Sequence, residues 1–132
     1  MIEEFTNITM GDEHMGQYGH LNYKAVPAIL EKSQDALLAH CKVSFTGIEI
    51  DFGLRSFVKN IEITWFQELR KGDECQVKTS LKLSKTSMTF KQLVTKNSLP
   101  AVFQTIVIVL VDMASKRTVI PDELRKRLGD GV

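Results

Sequence analysis

Residues 22–41 carry one helical pattern, and beyond it the chain changes period and does not change back. Val26, Ile29, Leu30, Ser33, Leu37 and Cys41 recur at three- and four-residue spacing, the mark of one buried stripe along an α-helix. Further on, apolar and polar residues alternate. Cys75, Val77, Thr79, Leu81 and Leu83 interleave with Gln76, Lys78, Ser80, Lys82 and Ser84, so one face of that strand is dry and the other wet. A helix followed by a run of strands is an α+β arrangement with an antiparallel sheet, and the alternating order that builds a parallel sheet is absent. One sheet served by one dominant helix leaves apolar positions uncovered. That predicts a dimer or a larger homo-oligomer.

The remaining elements follow from local chemistry. A first strand is predicted over residues 2–9, then a glycine-punctuated segment over 11–19. Asn22 is a candidate N-cap for the helix. Pro27 lacks a backbone donor and is comfortable only in a first turn, so the helix is predicted to begin near Ala25 or to bend there. Phe57, Ile61, Ile63 and Trp65 are predicted to line one face of a strand that Lys59 interrupts, and Arg70-Lys71-Gly72-Asp73 reads as the turn joining it to the next strand. Lys85-Thr86-Ser87 reads as another turn, with a strand over 88–95 and a break at Asn97-Ser98-Leu99-Pro100. The segment 102–111 is apolar on both faces, which places it at the sheet centre or against another subunit. Pro121, the acids Asp122 and Glu123, the bases at 125–127 and Gly129 mark a short last helix.

Composition removes several function classes. Seventeen basic residues against sixteen acidic ones leave a net charge of +1, without the basic excess of a nucleic-acid binder. The most apolar run, 106–111, is far short of the roughly 20 residues a helical membrane span takes. Met1-Ile2-Glu3-Glu4 is acidic and lacks the basic and apolar regions of a signal peptide. Two cysteines, Cys41 and Cys75, are too few for a metal site. A cytoplasmic protein with reduced thiols is the expectation.

Four segments keep the order and spacing of a known family. They are Gly19-His20-Leu21-Asn22; Glu31, eleven residues after His20; the stretch from Ile63 through Trp65, Leu69 and Gly72 to Asp73; and Val111-Asp112 with Ile120-Pro121-Asp122-Glu123-Leu124. Together they resemble the 4-hydroxybenzoyl-CoA-thioesterase-like hotdog family, which shows D-x-x-G-H-x-N before its central helix, a helix glutamate, I-x-Y-x-x-x-L-x-x-G-D, and a terminal I-P-x-E-L helix. The resemblance covers nearly the whole chain. It implies a single hotdog domain over residues 1–132, with one antiparallel sheet wrapped around a long central helix. It also implies hydrolysis of an acyl thioester, carried by coenzyme A or an acyl carrier protein, at a subunit interface of a homodimer or tetramer. No metal or redox cofactor is implied. The chain departs from the pattern where it matters for chemistry: Gly16 stands where the family has its acid, and Tyr23 where it has a second asparagine.

Thioester hydrolysis needs a donor for the carbonyl oxygen and a base or nucleophile for the carbonyl carbon. The resemblance puts the donor at Gly19-His20, where one oriented N–H is worth about 3–4 kcal/mol of barrier. Glu31 is the base that remains by motif; its other reading is a structural ion pair with Lys32, Lys24 or a strand residue. His20 is either a second base or a histidine that fixes the turn. Asn22 either caps the helix or touches substrate, and Gln17 and Tyr18 are placed to fill the space left at Gly16. Cys41 and Cys75 read as core, and Ser87 and Thr89 as ordinary strand and turn residues. The rival function is a degenerate hotdog module that binds acyl thioesters or a protein partner without hydrolysis, and Gly16 is its main support.

Overall fold

The structure, a computed structural model, describes residues 2–129. β1 (Ile2–Thr9) leads through 3-10 turns at Asp12–His14 and Tyr23–Ala25 into α1 (Val26–His40). There follow α2 (Phe45–Phe52), β2 (Leu54–Trp65), β3 (Glu74–Leu83), β4 (Ser87–Lys96), β5 (Leu99–Asp112) and α3 (Asp122–Arg127). The strands make one antiparallel sheet in the order β1-β3-β4-β5-β2. α1 lies across β1 and β3. This is the α+β arrangement that the periodicities predict, with Pro27 in the first turn of α1, where its missing N–H has no partner to lose.

The core lies between α1 and the inner face of the sheet. Val26, Ile29, Leu30, Leu37 and Leu38 of α1 are buried against alternate residues of the strands, among them Val77, Phe90 and Leu110. Each such side chain contributes about 1.5–3 kcal/mol when fully withdrawn from water. β5 sits inside the sheet, between β4 and β2. Its inner residues are buried, and Phe103, Thr105, Val107 and Val109 on the other face are half-buried.

Two expectations need correction, and one helix was not foreseen. The turn at 70–73 does not join a hairpin, because β2 pairs with β5 and β3 pairs with β1 and β4; residues 66–73 instead carry the chain across the sheet. Phe57 does not share a face with Ile61, Ile63 and Trp65. The register against β5 slips by one residue between Val58 and Asn60, so Phe57 pairs with Val109 while Ile61 pairs with Ile106, on the opposite face. Finally, α2 was not anticipated. Ser44 caps it by accepting from the Gly47 N–H at 2.9 Å, and Gly53 ends it at a φ of 68°, a conformation glycine adopts without a Cβ penalty.

β2 is an edge strand, and its far side is unpaired. Phe57 is 51% exposed, Val58 59% and Trp65 39%, an apolar strand left open on the surface. Natural edges are usually charged, short or covered.

Candidate active site

The recognition segment folds as a tight loop tied to the 66–73 connection. The Gly16 N–H donates to the His20 carbonyl at 2.8 Å, and the Gly19 N–H donates to the Gly16 carbonyl at 3.1 Å. Gly19 has a φ of +75°, which only glycine reaches cheaply. The Leu21 N–H donates to the Leu69 carbonyl at 2.7 Å, and the Asn22 N–H to the His14 carbonyl at 2.9 Å. Buried Leu21 and Leu69 pin the two segments together. The loop therefore consumes the Gly19 donor that the motif offers. The N–H groups of Gln17, Tyr18 and His20 make no hydrogen bond among the described residues.

A cleft of about 790 Å³ opens beside this loop, bounded by Trp65 and Phe66 at the end of β2. Gly16, Gln17, Tyr18, His20 and Asn22 line it. Gly19 belongs to the loop but does not line the cleft. Asn22 caps the 3-10 turn ahead of α1, its Oδ1 accepting from the Lys24 N–H at 3.0 Å, and not α1 itself, whose N-cap position is Ala25; the helix cap expected from the sequence is displaced by one short turn. His20 Nδ1 lies 3.0 Å from Glu68 Oε2. That contact orients the ring, directs Nε2 away from the carboxylate, and makes Glu68 a functional candidate that sequence reasoning missed. No local signal could have found it, because it depends on residue 20 meeting residue 70 across the fold.

Glu31 is not in this cleft. It lines a second one of about 500 Å³, between α1 and β2, with Gln34, Phe57, Val58, Ile61 and Ile106 among its walls. Its side chain is exposed and makes no ion pair or hydrogen bond among the described residues, so the structural ion pair does not form. The two halves of the expected chemistry are thus separated within one chain, one toward each end of β2.

The remaining polar candidates have structural places. Cys75 is buried, and burial followed by the nearby Asp73 charge pushes its thiol up to about 11, so it is no nucleophile at neutral pH. Asp73 closes the turn at 70–73. Its carboxylate accepts from the Arg70 N–H at 2.8 Å and meets Lys96 Nζ at 2.9 Å, and the backbone bond first and Lys96 second hold it below the usual carboxylate range. Ser87 bonds Ser84 in the β3–β4 turn, with Oγ atoms 2.6 Å apart. Arg55 pairs with Glu49 at 3.2 Å. Among the described residues no three His, Cys, Asp or Glu side chains gather as a metal site, and no helix is long and apolar enough to cross a membrane.

No family model and no curated protein matches the sequence. Solved structures do match the fold. The hypothetical protein TT1821 from Thermus thermophilus is 19% identical over 97% of this chain and 96% of its own, with a TM-score of 0.85. Slr0204, a 1,4-dihydroxy-2-naphthoyl-CoA thioesterase from Synechocystis, is 11% identical over 98% and 97%, with a TM-score of 0.86. SAV2348 from Staphylococcus aureus, solved in complex with CoA, is 15% identical over 98% and 84%, with a TM-score of 0.83. Identities this low speak for architecture, and the architecture is shared end to end: this chain has the hotdog fold.

Proposed function

We propose that the chain, acting over its full length as one unit, hydrolyses an acyl thioester of coenzyme A or an acyl carrier protein at a site shared by two subunits. The observation that carries this reading is the division of the site along an open edge strand. The loop of His20 lies by Trp65, and Glu31 lies by Phe57, Val58 and Ile61. A two-fold axis that pairs β2 with its own copy makes the strands antiparallel. The Trp65 end of one subunit then meets the Phe57 end of the other. Each His20 cleft would gain the partner subunit's Glu31, and the exposed apolar edge would be covered. The thioesterase among the similar folds and the one solved with CoA point to the same chemistry.

In that site the free N–H of His20 receives the thioester carbonyl oxygen, where negative charge grows during attack. The Glu31 carboxylate takes a proton from water as its oxygen bonds to the carbonyl carbon. The C–S bond then breaks, and the thiol leaves with the proton returned by Glu31, releasing a free acid. The His20 ring, held by Glu68, keeps the loop in register with residues 69–70.

Gly16 favours the second reading, a module that binds without hydrolysis. The missing acid is not a steric necessity: a Cβ there would meet the His20 carbonyl at 3.7 Å and Asn22 Cβ at 4.0 Å, ordinary contact distances. Thiol release from short, long and aromatic acyl-CoA substrates decides between the two. Hydrolysis that falls by about 10²–10⁴ in Glu31→Gln supports the shared site. Hydrolysis absent in the wild type but gained in Gly16→Asp makes the natural protein a binding module.

A further inference from the structure

The outer face of the sheet is wet over β3 and dry over β5. The outward residues of β3 are Glu74, Gln76, Lys78, Ser80 and Lys82, the polar set that a solvated face carries. Those of β5 are Phe103, Thr105, Val107 and Val109, all half-buried. Leu93 of β4 pairs with Phe103, and Phe57 of β2 pairs with Val109, so the apolar stripe spreads onto both neighbouring strands. Phe103, Val107 and Val109 take no part in the core. The helices bury Leu37, Leu38, Ile48 and Leu124 on the inner side of the sheet, with Phe90 and Leu110. A contiguous apolar stripe on the side away from every helix marks a contact surface.

The register fixes what flanks that stripe. Thr105 pairs with Lys91 of β4 on one side and with Glu62 of β2 on the other. Both flanking side chains are exposed, and neither makes an ion pair among the described residues. Each stands one strand from β5, about 4.8 Å. At the level of Val107 the flanking residues are Thr89 and Asn60, both polar and uncharged. Opposite charges thus sit at equal distances on the two sides of an apolar centre.

That arrangement is complementary to itself in one orientation. Two sheets packed face to face lie about 10 Å apart, with their strands within about 30° of each other. A two-fold axis parallel to β5 sets β4 of the second copy over β2 of the first, at the same level along the strands. Glu62 then faces the partner subunit's Lys91, and Lys91 faces the partner subunit's Glu62. An axis across the strands at the same level would instead set lysine over lysine and glutamate over glutamate, which repel. The charges choose the first axis.

We infer that the outer face over β5 docks a second copy of this chain, back to back, about a two-fold axis that runs along β5 and sets Lys91 against Glu62 of the partner subunit. This contact is distinct from the open edge of β2, and it stands or falls apart from hydrolysis. Analytical ultracentrifugation tests it, with far-ultraviolet dichroism to show that each variant is folded. A Val58→Lys chain, its edge blocked, should still associate. Val107→Lys should remove one doubling of mass from the wild-type chain, and again from Val58→Lys. In the Val58→Lys background, Lys91→Glu and Glu62→Lys should each raise the dissociation constant about fivefold or more, and the two together should bring it back to within about twofold of the starting value. A Val58→Lys protein that is folded and monomeric overturns the inference and leaves the stripe to a different protein. Association that Val107→Lys leaves unchanged overturns it too, as does a double charge exchange no tighter than the single ones. Should Val107→Lys not fold, the charge exchange decides.

Discussion

A shared site can be rebuilt from two broken halves, and the separation of His20 from Glu31 makes that a quantitative test. The perturbations are Glu31→Gln, which removes the carboxylate from the helix cleft, and His20→Ala, which frees the loop from Glu68. As pure preparations, the first should lose about 10²–10⁴ in turnover, the scale of a general base. The second should lose about tenfold or more, since a loop displaced by an ångström takes its oriented N–H with it. If the variants are unfolded together and refolded as a one-to-one mixture, about half of the two-fold dimers contain one chain of each kind. In each mixed dimer one site joins the intact loop of the Glu31→Gln chain to the intact glutamate of the His20→Ala chain. The other site carries both defects. One working site in half the dimers restores about a quarter of wild-type turnover, well above the few per cent expected if each chain held its own complete site. The assay is thiol release at equal total protein before and after mixing. A mixture that stays at the average of its parents refutes the shared site, as does a wild-type protein that sediments as a monomer.

Two further outcomes follow from the same structure. Val58→Lys puts a charge on the open edge of β2, where Val58 is 59% exposed in the single chain, so the subunit dissociation constant should rise at least about tenfold by analytical ultracentrifugation while far-ultraviolet dichroism is unchanged. Asp73→Asn should cost about 1 kcal/mol of stability at pH 7; because the folded carboxyl sits below its unfolded value, the gap between variant and wild type should be full above the unfolded pKa and close as pH falls through the folded one, whereas a pH-independent gap in denaturant melts would contradict the assignment.

Much of the fold could be read from period alone. The helix stripe from Val26 to Leu37, the alternation from Cys75 to Leu81, and the turn chemistry at 85–87 and 97–98 are local, and each formed close to where the pattern places it, although Leu99 and Pro100, expected in the break, already belong to β5. The final helix also formed, with its acids first and its bases last. α2 escaped because its eight residues offer a single buried position, Ile48, too little for a visible stripe. The candidate site was half legible. Gln17, Tyr18, His20 and Asn22 do meet around one cleft, because they are neighbours on one loop. Glu31 does not join them, because a motif records spacing along the chain and not which cleft a side chain faces once the helix is packed.

The sequence by itself determined the order and kind of the main elements, since helix and strand periods are written in which residues can be buried at three-and-four or two-residue spacing. It also determined that apolar surface would be left over. Tertiary structure decided what local pattern cannot encode: that β2 pairs with β5 and not with β3, that a one-residue slip at Lys59 turns Phe57 to the opposite face, and that His20 meets Glu68. It also decided which polar groups meet in the core: the Gln92 Nε2 donates to the Leu30 carbonyl at 2.9 Å although 62 residues separate them. Such contacts are long-range choices among pairings that look alike from the chain, settled only when the whole sheet and its helix are packed together.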